Sequence, residues 1–385
     1  MKPTMKRKLS SIAAIAISMS VLSACETTEK PSAQASFTHT EAPQQTDRAV
    51  HKAGEVQEAQ TLYSFISSRL TGEYGVYTNL IDTDQKGEAA TGHEILSESA
   101  SLMMRYAVLT GNQALFAAEW EKAKKAFDME GGFSYRFSPK LQKQYSVNAA
   151  VDDLRLIGAL EEAGTAFKDE GYSQEAAKYG QRFYNYNVKD GYMYDFYDKK
   201  YNVTNKFVTL CYIDMSVLQK LSIPVEERAV LMHNMQEIQE QGYLSDSFPF
   251  YETRFDYETG RYTSENISTV ESLLTILALS EVHLQKPASI RFIREQVEAG
   301  TLYGQYTREG TPVNDIRSTA IYAITAMIGA QLADDQLYRT SIERMNEFRV
   351  QDTGSVLYGG FGDTASGQAY SFDNLMALLA YWYEG

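Results

Sequence analysis

Twelve stretches of this chain repeat apolar residues at helical spacing, and every second one is apolar on all sides. They run over 56–70, 94–110, 114–128, 147–163, 172–188, 206–221, 224–240, 267–283, 287–299, 315–333, 335–349 and 372–384. The even-numbered stretches hold runs such as FVTLCYIDM, LLTILAL and AIYAITAMIGAQL, whereas the others carry charge on one face, as in EWEKAKKAF and YRTSIERMNEF. A helix that is apolar all round has to be buried, and an amphipathic one covers it on one side. Strict alternation of the two kinds predicts a double ring, six inner helices wrapped by six outer ones. A solenoid of helical pairs would show a fixed repeat length, and the connecting segments here vary too widely for one. No proline- or glycine-rich linker interrupts residues 55–385, so a single domain is expected there.

In such a ring the inner helices run the same way and their first turns gather at one mouth. Those first turns read Ser97-Glu98, Asp152-Asp153, Phe207 to Asp214, Ser268 to Glu271, Asn314-Asp315 and Ser371-Phe372-Asp373. Asp and Ser are favoured helix caps, and any one of these reads as a cap. Carboxylates recurring around the ring read instead as an acidic cleft. Pyranose faces are apolar patches edged by hydroxyls, so aromatic rings suit them as platforms. Tyrosines crowd the loops, and Tyr135, Tyr194, Tyr251 and Tyr306, next to helix mouths, are the candidate walls.

Ser97-Glu98 stands at the head of a long apolar helix, which Thr110-Gly111-Asn112 ends, and the next helix carries Phe116 and Trp120. This pattern resembles the signature of glycoside hydrolase family 8. The resemblance extends to Gly131-Gly132-Phe133-Ser134-Tyr135-Arg136 with the helix start Asn148 to Ile157, to Asn314-Asp315-Ile316-Arg317, and to Ser371-Phe372-Asp373-Asn374-Leu375. It implies an all-α (α/α)6 barrel and makes Glu98 the general acid of an inverting glycosidase, endo-acting on a β-linked polysaccharide or exopolysaccharide. The general base is then Asp315 by preference, with Arg317 keeping it ionised, or else Asp152. Of the adjacent pair, Asp152 is favoured for sugar hydroxyls, with Asp153 as a cap or a supporting contact. The chain departs from the family pattern at Ser99, where the family has Gly, and in the spacing around Asp152 and Asp315. Two other readings stay open: a polysaccharide-binding lipoprotein that kept the barrel and lost the chemistry, and another toroid enzyme such as an unsaturated-uronide hydrolase or a polysaccharide lyase.

The N-terminus has the form of a secretory signal over residues 1–24, with Lys2, Lys6, Arg7 and Lys8 ahead of an apolar run from Ile12 to Leu22. That run is too short to span a bilayer. It ends in Leu22-Ser23-Ala24-Cys25, which resembles a bacterial lipobox, so the expected protein is attached to the extracytoplasmic face of the cell membrane through lipid on Cys25. Residues 25–54 hold almost no large apolar side chains and are expected to be a flexible tether. Removal of residues 1–24 takes away four basic side chains and no acidic one, leaving 32 against 50. So acidic a chain is a poor partner for nucleic acid, and a monomer is expected. The five histidines show no ligand spacing and no zinc pattern appears. No P-loop, GxGxxG or nucleophile elbow opens a helix, so neither metal nor organic cofactor is expected. If Cys25 carries the lipid, Cys25→Ser abolishes incorporation of labelled fatty acid while the folded domain persists; labelling at the wild-type level would disprove the anchor.

Overall fold

The computed structural model describes residues 45–87 and 89–383, with side chains from residue 54 onward. Cys25 and the signal segment lie outside the described residues. Twelve α-helices are present among those described: α1 (Gln45–Arg69), α2 (Ser97–Leu109), α3 (Gln113–Phe127), α4 (Ala150–Phe167), α5 (Glu170–Asn187), α6 (Met215–Leu218), α7 (Val225–Gln241), α8 (Thr269–Glu281), α9 (Pro287–Ala299), α10 (Thr319–Gln331), α11 (Asp335–Asn346) and α12 (Ser371–Ala380).

The even-numbered helices form a closed ring, in which α2 packs on α4, α4 on α6, α6 on α8, α8 on α10, α10 on α12 and α12 back on α2. Outside it, α3 covers α2, α5 covers α4, α7 covers α6, α11 covers α10, α9 leans on α11, and α1 covers α12. Burial explains the assignment. Eleven of the 13 residues of α10 are buried, whereas α11 buries Leu337, Ser341, Ile342 and Met345 along one stripe. This is the (α/α)6 barrel that the alternation and the resemblance pointed to.

Two expectations need correction. The stretch 206–221 is not one helix. Phe207–Thr209 is a strand paired with Arg254–Asp256, Leu210–Tyr212 is a 3₁₀ turn, and only Met215–Leu218 is α-helical, capped by Asp214 through the Val217 N–H. An apolar run rich in aromatic and β-branched residues suits either element, and the strand partner lies some 45 residues ahead, invisible to local periodicity. Second, α1 begins at Gln45, inside the expected tether. Ordinary helix propensity carries the backbone through QTDRAVHKAG without a large apolar residue.

The short antiparallel hairpins sit in the loops that lead into inner helices. Contacts between first turns show that the inner helices run in parallel. Ser97 at the head of α2 donates to Asp152 at the head of α4. Asp373 of α12 accepts the Ala320 N–H of α10, and Ser99 Oγ bonds Ser371 Oγ. At the opposite end Arg105 pins the ring, 3.0 Å from Glu281 and 3.6 Å from Glu162. Among the described residues, no helix is long and apolar enough to cross a membrane.

Asn374, fully buried in α12, fastens the segment ahead of that helix. Its Oδ1 accepts the Phe361 N–H at 2.9 Å, and its Nδ2 donates to the carbonyls of Phe361 and Tyr370, both at 2.8 Å. Asn374→Ala takes the side-chain partner from the Phe361 N–H and carbonyl, while the Tyr370 carbonyl keeps the backbone N–H of residue 374. It is expected to destabilise the protein by about 2–4 kcal/mol, measured as a fall in melting temperature; an unchanged value would show that water replaces the amide.

Candidate active site

The head of α2 is fixed before the helix begins. Glu94 is fully buried, accepts the Thr91 N–H at 3.0 Å and pairs with Arg136 at 3.3 Å. The Arg136 guanidinium lies on the Tyr145 ring, 3.8 Å from its centroid. Ile95–Leu96 pairs with the strand Arg136–Ser138, and the Ser97 N–H reaches the Tyr135 carbonyl at 3.1 Å. These contacts leave Glu98 in the first turn of α2 with its side chain at the mouth.

Leu96, the residue ahead of α2, offers no side-chain cap. Asp152 supplies one from α4, accepting the Ser97 hydroxyl at 2.8 Å and the Glu98 backbone N–H. Arg155, one turn along α4, brings Nη1 within 3.4 Å of Asp152 and 3.5 Å of Glu98. The Glu98 side chain keeps 15% of its surface open, against 7% for Asp152. Glu98 is thus partly open to solvent while hemmed in by protein on its other sides. Burial pushes its carboxyl up to about 7, the Asp152 charge adds to this, and Arg155 opposes both. Burial also raises Asp152, against Arg155 and the Ser97 hydroxyl. With three donors on it, Asp152 is the better-stabilised anion of the pair and Glu98 the member that keeps its proton.

Tyr212 senses this pair, and two further buried carboxyls, Asp195 and Glu271, lie close enough for Asp195 to feel the Glu271 charge. The Tyr212 phenol, held up by burial, feels the charges of Asp195, Asp152 and Glu98. Asp195 is buried and accepts the Thr209 N–H and hydroxyl, each at 2.6 Å, while burial lifts it to about 7. Glu271, in the first turn of α8, is raised by burial, with Arg254 and the Thr253 side chain working against it. The sequence pattern does not single these three out. Ser268-x-x-Glu271 has the spacing of a capping box, Asp195 lies in a loop, and Tyr212 was lost inside the stretch taken for a helix.

Other expected site residues fall elsewhere. Asp153 is buried at 1% exposure, where it accepts the Phe133 N–H at 3.0 Å and Asn148 Nδ2 at 2.8 Å. It fastens a hairpin and does not reach a ligand. It also explains Gly132, whose φ is +139° and where an added Cβ would lie 2.2 Å from the Asp153 carboxylate. Tyr251 and Tyr306 are core residues at 2% and 3% exposure, and the Tyr306 hydroxyl is spent on the Tyr303 N–H and the Thr301 carbonyl. They cannot wall a cleft. Tyr135 packs with Val151, Leu96 and Tyr212 beside the pair. Tyr194 is half-buried against Tyr257. Asp315 is exposed, three residues before Ser318, the cap of α10. The expected support from Arg317 is absent, because that guanidinium pairs with Glu347 at 2.9 Å and lies over Phe348. Among the described residues no group of His, Cys, Asp or Glu is placed to hold a metal ion.

Comparison with known proteins adds to this geometry. No family model matches the chain. A solved structure described as a novel alpha-amylase from Clostridium perfringens is 30% identical, covers 85% of this chain and 98% of its own, and superposes with a TM-score of 0.79. A candidate lipoprotein of Bacillus subtilis strain 168, YdaJ, is 27% identical over 345 residues, 86% of this chain and 91% of the relative. The endoglucanase Cel10 of Klebsiella pneumoniae, a family 8 glycosyl hydrolase, shares the fold at 14% identity with a TM-score of 0.55, covering 74% of this chain and 97% of its own. The chain shares the (α/α)6 glycosidase fold of these enzymes and is related at 30% identity to the Clostridium perfringens protein, with Ser97-Glu98 at the head of the first inner helix.

Several buried carboxyls at this mouth are raised, Asp153 to about 8 and Asp195 and Glu98 to about 7. A carboxyl raised on folding favours the native state below its unfolded value near 4, and that contribution is lost as pH rises through the folded value. The melting temperature is therefore expected to fall between pH 5 and pH 8. Asp195→Asn keeps both bonds to Thr209 by reversing one, and should flatten this slope by a few degrees. A slope untouched by the substitution would mean that Asp195 is ionised in the native protein throughout.

Proposed function

We propose that the protein is an inverting, endo-acting glycosidase of a β-linked polysaccharide, with Glu98 as general acid. The observation that carries the reading is the paired environment of Glu98 and Asp152. One carboxyl is held protonated near neutrality at the edge of a cleft, beside another held as an anion by Arg155 and Ser97. Glu98 would protonate the departing glycosidic oxygen. A carboxylate on the other side of the sugar would activate water, and inversion needs the two about 6.5–9.5 Å apart. Asp315, exposed on the loop before α10, is the preferred base. Asp152, tied to Arg155 and Ser97, is suited to grip sugar hydroxyls. Tyr135 and Tyr194 remain the candidate walls from the original set. Resemblance to the candidate lipoprotein YdaJ supports a lipid anchor at Cys25 on the extracytoplasmic side.

A second reading concerns the linkage alone. The relative at 30% identity is described as an alpha-amylase, which favours an α-linked glucan. Release of reducing ends from β-glucans, chitosan and bacterial exopolysaccharide, set against starch, separates the two, and binding without release from any of them supports a barrel that has lost its chemistry.

Glu98→Gln removes the proton donor and keeps the shape. It is expected to lower kcat by about 10²–10⁴-fold with the melting temperature preserved. Because the acid must be protonated, wild-type activity should decline as pH rises through about 7. Near-normal turnover in the variant would remove Glu98 from the mechanism. For the base, Asp315→Ala should lose hydrolysis and regain product formation with azide, giving a glycosyl azide of inverted configuration. Asp152→Ala should bind weakly and not respond. Azide rescue of Asp152→Ala alone would exchange the two roles.

A further inference from the structure

The acidic balance of the whole chain conceals a basic edge on the mouth. Two hairpin segments, 136–147 and 197–206, hold six Lys and Arg residues and one Asp, in a chain with 36 basic and 50 acidic side chains. They are far apart in sequence but joined in the fold. Val147 bridges Asp198, the Lys199 N–H reaches the Ser146 carbonyl at 2.8 Å, and Ser146 Oγ donates to Asp198 at 2.9 Å. The one acid is thereby consumed inside the junction, where it also accepts the Lys200 N–H. Lys143, Lys199 and Lys200 are left exposed along the edge.

This edge is continuous with the catalytic floor. The first hairpin pairs with Ile95–Leu96, immediately before Ser97-Glu98, and its second strand runs on through Val147 into α4 and Asp152. The second hairpin leads into Phe207–Thr209 and Tyr212. Five residues of extended chain separate Lys143 from Asn148, a span of about 17 Å. Lys143 lies over the Tyr145 ring, 4.1 Å from its centroid, and its charge reaches the buried Glu94. Tyr201, beside Lys200, is 65% exposed. An exposed ring next to ammonium groups, in line with a sugar cleft, offers a stacking face together with anion contacts. Four of the six cations meet an acid: Arg136 is buried against Glu94, Lys140 pairs with Asp82 at 3.4 Å, Lys199 lies 3.8 Å from the largely exposed Glu130, and Lys206 pairs with Glu258. The exposed pairs among these are weak and give way to a better ligand.

We propose that the edge formed by Lys143, Lys199, Lys200 and Tyr201 is a binding subsite for an anionic polysaccharide, one bearing carboxylate or phosphate groups. The inference rests on the glycosidase reading and narrows its substrate class. A basic strip on an otherwise acidic protein also orients the polymer, because the rest of the surface repels it. An anionic membrane is the competing occupant of a basic surface. The continuity of the strip with the cleft and its exposed tyrosine favour a sugar polymer.

The test uses the Glu98→Gln protein, so that binding is measured without turnover. Affinity electrophoresis or calorimetry is run with polygalacturonate, with a glycerol-phosphate polymer, and with a neutral β-glucan, at low and high salt. Binding to one or both acidic polymers is expected to exceed that to the neutral one by at least tenfold at low salt, and to weaken as salt screens it. The polymer that binds identifies carboxylate or phosphate. Lys143→Glu combined with Lys199→Glu and Lys200→Glu should abolish the preference with the melting temperature unchanged, whereas Lys220→Glu, outside both hairpins, should leave it intact. Equal binding of acidic and neutral polymers, a preference that survives the triple change, or binding only to phosphatidylglycerol vesicles would overturn the proposal. Each of these leaves the role of Glu98 standing, which is judged by turnover alone.

Discussion

One carboxylate holds the site and the fold together. Asp152 stands at the head of one inner helix and completes the head of the next, accepting the Ser97 hydroxyl and the Glu98 N–H that α2 leaves unpaired. A helix begins with unsatisfied N–H groups and a partial positive charge, and an anion is the partner that answers both. Here the anion comes from the neighbouring helix, so the position of Glu98 is set by tertiary packing and not by its own turn. Asp373 does the same for α10 through Ala320. The ring thus caps itself across helices at two places.

The same arrangement underlies the proposed chemistry. An acid in water would be ionised near neutrality and useless as a proton donor. Glu98 is kept back by enclosure and by the Asp152 charge, while Arg155 stops both groups from rising too far. Removing Arg155 would raise both carboxyls and blur the division of labour that burial and hydrogen bonding establish. In the proposed mechanism, acid function is a property of the junction between α2 and α4 as a whole.

Much of this was legible in sequence, for a physical reason. A double ring demands alternate helices that are buried all round, and that demand is written into hydrophobicity, so most of the helices and their layers could be read directly. Glu98 stands out in sequence through the family resemblance, since a Ser-Glu turn by itself reads as a helix cap, and the structure places it in the first turn of an inner helix. What failed was whatever depended on partners distant in sequence. Tyr251 and Tyr306 carry no mark that separates a core ring from a cleft ring. Arg317 lies two residues from Asp315 yet pairs with Glu347, thirty positions on. Asp153 is adjacent to Asp152, but the next residue along a helix points about 100° away, into the hairpin instead of the cleft. The basic edge escaped notice because its two halves lie more than fifty residues apart and the net charge of the chain has the opposite sign.

Closure of the ring has a consequence for how the surroundings of Glu98 are assembled. α12 and α2 are neighbours, joined by Ser99 and Ser371 and by the Leu80–Ala369 backbone bond, although nearly the whole domain lies between them in sequence. Contacts of such long separation cost loop entropy before they return any energy, and they form late in folding. The helix that carries Glu98 therefore waits for the last residues of the chain before its inner face is covered. The surroundings of Glu98 are thus finished only once the segment that forms α12 is in place.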